Sequence, residues 1–396
     1  MGDHPPVTDW ATDFDHTDER WAADAYSIWG ELRETCPIAH SDRYGGVWLP
    51  TRYEDISAIA YDTERFTSRS VVVSPFRPPD VLAPAGIAPP ISSDPPFHHD
   101  SRRRLLPVFA PQRINDLEPS TRAYCEELVA AMDGKDVVDA AVEYAQHIPV
   151  RVIANMLGLP ESDADTFRHF VEHVLEGVAL PLEERAAGML ELFQYLQGHV
   201  AAKHEHPDDG VISLLISLEL DDFEIARTIA LLLIAGIDTT WSAIGASIWH
   251  LAKTPSDRER LVAEPALLPT AMEELLRAYA PVTMARLVRE DMEWNGCPMK
   301  KDDWVLLPFP SANRDPQAFD RPDEVVIDRA ENRHVAFGLG IHRCAGSHLA
   351  RMELRVALEV WLQRFGAGFE LADPDAVRWS GGQVRGPRIL PVKITG

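Results

Sequence analysis

The longest regular pattern in the chain runs from Asp221 to Lys253. Its centre, Thr228 to Ile237, reads TIALLLIAGI and is almost wholly apolar. The spacing predicts a helix of roughly 30 residues, about 45 Å long, enough to cross a whole domain. The apolar run is too short to span a bilayer, so the helix belongs in the middle of a protein core. Asp238-Thr239-Thr240 then interrupts it. Burying a carboxylate and two hydroxyls in mid-helix costs free energy unless something uses them, and a threonine hydroxyl bonded to a carbonyl one turn back loosens the helix locally.

A second helix is read from Ala345, where Leu349, Met352, Val356 and Val360 recur at spacings of three and four. Cys344 stands at its mouth. There the unpaired N–H groups and positive dipole end of a helix stabilise a thiolate. Gly338 and Gly340 precede it and allow a bend in which backbone approaches a flat ligand. Elsewhere the pattern predicts a helix over Ala22–Thr35, a strand at Val47–Leu49 and a helix over Tyr53–Tyr61. Residues 115 to about 220 read as helical, broken at Pro149, Pro160, Pro181 and Pro207. Short β pairs are expected around Trp294–Met299 and Trp304–Leu307, with a turn at Gly296. Val71–Pro90 is apolar but carries six prolines, so it reads as a hydrophobic loop. Asp94-Pro95-Pro96-Phe97 opens a further helix, on which His98 and Arg102 share a face.

The pattern gives a mainly α fold with short strand-like pieces. No linker or repeat divides residues 1–396, so one large domain is expected. Its net charge of −24 argues against generalised binding to nucleic acid or anionic membranes. The N-terminus lacks a charged segment followed by an apolar one, so a cytoplasmic protein without a membrane anchor is expected. Cys36, Cys125, Cys297 and Cys344 lie far apart, without iron–sulfur spacing and without the look of a disulfide framework.

Phe337-Gly338-Leu339-Gly340-Ile341-His342-Arg343-Cys344-Ala345-Gly346 reads F-G-x-G-x-H-x-C-x-G. It resembles the haem-binding signature of the cytochrome P-450 superfamily of haem-thiolate monooxygenases. The resemblance implies the P-450 fold, with a long central helix over the haem and a β-rich lobe from about 1–70 and parts of 280–310 and 368–396. It implies haem b, with Cys344 as the iron ligand and Phe337 and Gly338 in its loop. His98, Arg102, Arg286 and His342 match positions that contact the haem propionates. Phe97 replaces the family's usual glutamate. Ala235-Gly236-Ile237-Asp238-Thr239-Thr240 is similar to the A/G-G-x-D/E-T-T motif. There the small residues admit the distal ligand, Asp238 imports protons from solvent and Thr239 positions bound oxygen and water. Glu274 and Arg277 supply E-x-x-R, and Arg329 completes that structural ion-pair network.

By the same resemblance, substrate meets Leu82, Ile87, Val178, Leu231, Ile234, Val282, Met284 and Val384, although helical apolar spacing marks core as readily as pocket. Arg385 reads as an exposed turn arginine, and Arg103 and Arg104 as a solvated face. The implied reaction inserts one oxygen atom from O2 into a hydrophobic small molecule, by hydroxylation or oxidative dealkylation. Without a flavin or iron–sulfur segment, electrons are expected from a ferredoxin and its NAD(P)H-dependent reductase, docked on Arg333, Arg343, Arg351 and Arg355. Two alternatives stay open. One is a peroxygenase of the same fold, which typically carries Arg-Pro where this chain has Asp238-Thr239. The other is a haem ligand carrier or sensor without turnover.

Overall fold

The protein is described from a computed structural model covering residues 5–79, 85–86, 88–171 and 182–395. Its helices in chain order are α1 (Glu19–Thr35), α2 (Tyr53–Tyr61), α3 (Phe97–Leu105), α4 (Pro111–Ala130), α5 (His147–Leu157), α6 (Ala164–Val171) and α7 (Leu182–Glu205). There follow α8 (Val211–Ser217), α9 (Asp222–Lys253), α10 (Pro255–Ala263), α11 (Leu268–Ala278), α12 (Phe309–Ala312) and α13 (Ser347–Phe365). The chain clusters into two compact units. The first comprises Met1–Arg103, Glu273–Cys344 and Ser380–Arg385; the second comprises Arg104–Met272, Ala345–Trp379 and Gly386–Gly396.

The first unit is built on a five-stranded sheet. Its strands are β1 (Ile38–Ser41), β2 (Val47–Pro50), β3 (Phe66–Thr67), β5 (Thr283–Val288) and β8 (Trp304–Pro308), in the order β1-β2-β8-β5-β3. Val47 pairs with Trp304 in a parallel ladder, and the other pairings are antiparallel. The alternation of side chains along β8 fills both faces. Trp304 and Leu306 join Trp21, Trp29 and Leu49 on one side, while Val305 and Leu307 join Ile56, Phe66 and Trp294 on the other. The hairpin of β6 (Met292–Trp294) and β7 (Cys297–Met299) turns through Asn295 and Gly296, both at positive φ.

In the second unit α9 is surrounded. It packs against α5, α6, α7, α8 and α13 within that unit. Asp221 caps it by accepting from Glu224 N at 2.8 Å. Although α9 is apolar and long enough to cross a membrane, 72% of its most apolar stretch is buried in protein, which makes it a core helix. A three-stranded sheet of β4 (Val137–Asp139), β12 (Pro391–Ile394) and β9 (Phe369–Leu371) belongs to this unit. So does the pair β10 (Arg378–Trp379) and β11 (Pro387–Ile389). Of the segment 368–396, only Ser380–Arg385 clusters with the first unit, because β9 and β12 pair with β4.

Local differences from the sequence reading have simple causes. Pro149 breaks nothing: it lies in the first turn of α5, where its missing N–H costs least. The helix after the cysteine starts at Ser347 with Gly346 as its cap, two residues later than the apolar spacing suggests.

Candidate active site

In the first unit, Phe337–Cys344 is a tight loop closed by Cys344 N donating to Phe337 O at 2.8 Å. Gly338 and Gly340 both take positive φ. A side chain on Gly340 would meet Ala60 O at 2.7 Å, so this glycine is demanded by close approach of the loop to α2. The loop leaves Cys344 exposed. Phe337 sits with its ring 6.1 Å from that of His334, whose Nε2 lies 2.9 Å from Glu273.

Four nitrogen donors gather in the same unit. Arg102 donates to Arg343 O at 2.6 Å. Burial lowers its pKa, and attraction to Cys344 opposes that shift. His98 is buried, and neither ring nitrogen is hydrogen-bonded among the described residues. Its ring packs edge-on to that of His342 at 4.5 Å. Burial, followed by Arg102, pushes His98 down to about 4, and burial with Arg286 pushes His342 down to about 2. Arg286 is buried, its pKa lowered to about 10 by desolvation, and it donates to the carbonyl of neighbouring Ala285 at 2.8 Å. Asp94 attracts it but is already bonded to Arg289 at 2.7 Å and to Thr67 and Ser68 N.

Buried imidazole nitrogens without partners are costly, so this cluster asks for acceptors from outside the chain. Two carboxylates beside a metal-seeking thiol answer that demand, and a haem with its propionates supplies both. Ser68 Oγ lies 2.9 Å from His342 Nε2 and orients that ring. It was missed in the sequence because a lone serine after a two-residue strand carries no motif.

Glu274 and Arg277, both fully buried, form a two-pronged pair at 2.7 and 2.9 Å. Arg329 reaches Glu274 at 2.9 Å. Arg277 also donates to the carbonyls of Asn313, Pro322 and Glu324. The network ties the segment ahead of the cysteine loop to α11. Asp291, by contrast, pairs with Lys300 at the surface. Val282 and Val384 form an isolated antiparallel bridge, with Val282 and Met284 half-buried. Arg385 is buried rather than exposed: it donates to Ala22 O and Ala23 O, with its guanidinium 4.7 Å from the Tyr26 ring.

In the second unit, Thr239 donates its hydroxyl to Ala235 O at 2.8 Å while α9 stays continuous. Ala235 is exposed, and Leu231, Ile234 and Thr239 are half-buried. Gly236 has a packing role: a side chain there would meet Ile153 of α5 at 2.6 Å. Asp238 is 2% exposed. It therefore does not face bulk water. Its Oδ1 accepts from Arg388 at 2.6 Å. Arg388 also donates to Ser242 Oγ at 3.1 Å and lies 4.3 Å from the Trp241 ring centre. Arg388 was invisible in the sequence, where Arg-Gly-Pro-Arg near the end looks like an ordinary basic turn. Leu82, Ile87 and Val178 lie outside the described residues.

The first unit thus offers an exposed thiol and a buried imidazole, His98, without a hydrogen-bond partner among the described residues, and the second carries an acid next to an alcohol on its core helix. The family model described as Cytochrome P450 matches residues 182–375. The chain is 33% identical to the mycinamicin IV hydroxylase/epoxidase of Micromonospora griseorubida, over 92% of this chain and 94% of that protein. It is 35% identical to nocardicin C N-oxygenase of Nocardia uniformis, over 87% and 89%. The solved structure of the polyketide synthase cytochrome P450 PksS of Bacillus subtilis superposes with a TM-score of 0.86 at 29% identity, covering 97% of this chain and all of that one. The chain belongs to the cytochrome P450 family, and it is a haem-thiolate monooxygenase using O2 and external electrons.

Proposed function

We propose that the cofactor is haem b, whose iron Cys344 would ligate and whose propionates His98, Arg102, Arg286 and His342 would hold. The observation that carries this reading is the donor cluster: two imidazole nitrogens of His98 shut in without acceptors, close to an arginine that feels the Cys344 thiolate. Haem bound there supplies activation of dioxygen. Cys344 would supply the sulfur ligand, and Arg102 would offset negative charge on that sulfur. Asp238 and Thr239 pass protons, Thr239 through its hydroxyl and Asp238 after giving up Arg388. Leu231, Ile234, Val282, Met284 and Val384 present apolar surface to a hydrophobic substrate. The whole chain acts as one haem domain in the cytoplasm. The test is the absorption spectrum of the dithionite-reduced, carbon monoxide-treated protein. A strongly red-shifted Soret band in wild type and not in Cys344→Ala is expected; a histidine-type band in wild type overturns the assignment.

Electrons come, on this reading, from a ferredoxin served by an NAD(P)H-dependent reductase. Arg333 and Arg343 are exposed and offer positive charge. Arg355 does not, because it pairs with Glu118 at 2.6 Å and Glu359 at 3.1 Å. Arg343→Glu raises the Michaelis constant for ferredoxin, and unchanged kinetics would discard this docking face.

A further inference from the structure

Arg227 is set apart among the positions of α9. Arg227, Leu231 and Ile234 follow one another at spacings of four and three and so form one stripe, all three half-buried on a helix that is otherwise mostly buried. Its Nε is sealed from solvent and has no hydrogen-bond partner among the described residues. The guanidinium lies 5.4 Å from the ring centre of Phe223, one turn back, which agrees with the N-terminal lean of long helical side chains.

The carboxylates nearest to it are committed elsewhere. Asp221 caps α9 by accepting from Glu224 N, and the Glu224 side chain pairs with Arg104 at 3.5 Å. Both attract Arg227 only from a distance, and burial lowers its pKa. In a chain with 62 acidic and 38 basic residues, a half-buried arginine without a carboxylate among the described residues is unexpected. A desolvated guanidinium discriminates strongly in favour of an anion that reaches it.

From Arg227 to Thr239 the helix rises about 18 Å. The apolar positions Leu231 and Ile234 lie between them. We propose that Arg227 is a specificity-determining residue that captures one anionic group, a carboxylate or a phosphate, at the end of an elongated and otherwise apolar substrate. The far end of that substrate is oxidised near Thr239. This rests on the reading that the accessible side of α9 meets substrate.

The test is equilibrium titration of the ferric, haem-loaded protein with dodecanoate, dodecyl phosphate and 1-dodecanol, following the spin-state change and, independently, the heat of binding. Wild type is expected to bind at least one of the anions about tenfold or more tighter than the alcohol. The two anions separate a carboxylate substrate from a phosphate ester. Arg227→Gln is expected to bring that anion to the affinity of the alcohol while leaving the alcohol unchanged, and Arg227→Lys to keep part of the preference. The proposal is overturned if wild type binds the alcohol as tightly as both anions, if none of the three binds, or if Arg227→Gln weakens all three alike. The carbon monoxide spectrum separates the two readings: a thiolate band with no anion preference sinks only the role of Arg227, whereas its absence in wild type sinks the haem-thiolate assignment.

Discussion

Arg388 holds Asp238 from β11 with an N–O distance of 2.6 Å, bridging to Ser242 one helical turn further on. The pairing shields the carboxylate from water, and on the proposed role in proton delivery Asp238 would have to exchange its bond to Arg388 for one to the proton's carrier. Arg388 is 16% exposed in its side chain against 2% for Asp238, which makes it the more accessible member of the pair. Replacing Arg388 by Ala is expected to lower product formed per NAD(P)H consumed, raise peroxide release and enlarge the solvent deuterium isotope effect. The Michaelis constant for substrate should change little. Asp238→Asn should lower turnover by about tenfold to a hundredfold, within the range of general acid–base contributions. Because the two residues act as a unit, the double variant should be no worse than Asp238→Asn alone. Additive losses would show that Arg388 acts elsewhere.

The pair is placed by backbone contact. A side chain on Gly386 would stand 2.3 Å from Ser242 Cβ and 2.6 Å from its Cα, so β11 lies directly against α9 only because this residue is glycine. Gly386→Ala must push the strand away and carry Arg388 with it. An overpacking cost of about 1–3 kcal/mol is expected, read as a lower denaturant midpoint. The same uncoupling as in Arg388→Ala should accompany it. Loss of stability with normal coupling would show that Arg388 keeps its grip without the close contact.

How much of this was legible beforehand depended on whether a feature is local. Tyr53–Tyr61 and Asp221–Lys253 carry their own periodicity, the latter also a cap in Asp221, and α2 and α9 have those limits to within a residue. The loop Phe337–Gly346 announces itself because glycines at positive φ and a cysteine must follow in a set order. The partner of Asp238 sits 150 positions away, and no local pattern marks it. Arg385 illustrates the opposite error. A Gly-rich turn suggests exposure, yet tertiary contact with Ala22, Ala23 and Tyr26 buries the side chain. The strand β4 was missed because three residues pairing only with β12 leave too short an alternation to read.

Glu274 serves four partners at once: Arg277, Arg329, Asn332 and the amide of Val326. Glu274→Gln would leave two arginines facing a neutral group, one of them fully buried. Breaking a buried pair on one side costs about 3–5 kcal/mol. The variant should therefore accumulate poorly and unfold at markedly lower denaturant, and what folds should take up less haem per chain. Wild-type stability and full haem content would mean that the network is dispensable for holding the segment ahead of Cys344.

The donor cluster also fixes how stability depends on pH. His98 has an ordinary value of 6.5 and is pushed down to about 4 in the folded chain, chiefly by burial. Between those values the unfolded chain binds a proton that the folded chain refuses, so folding is favoured as pH rises through this window. The contribution is complete above about pH 6.5 and is lost as pH falls toward 4, with a slope of up to about 1.4 kcal/mol per pH unit. His342, depressed to about 2, acts in the same direction. Haem-free protein should accordingly lose urea resistance steadily below about pH 6.5, and His98→Gln should flatten that loss. Bound propionates would supply the missing negative charge and raise the proton affinity of both imidazoles, so the haem-loaded protein should show the shallower profile. The decisive comparison is the urea midpoint across this pH range for wild type and His98→Gln, each with and without haem. Identical slopes in the two haem-free proteins would remove His98 from the account.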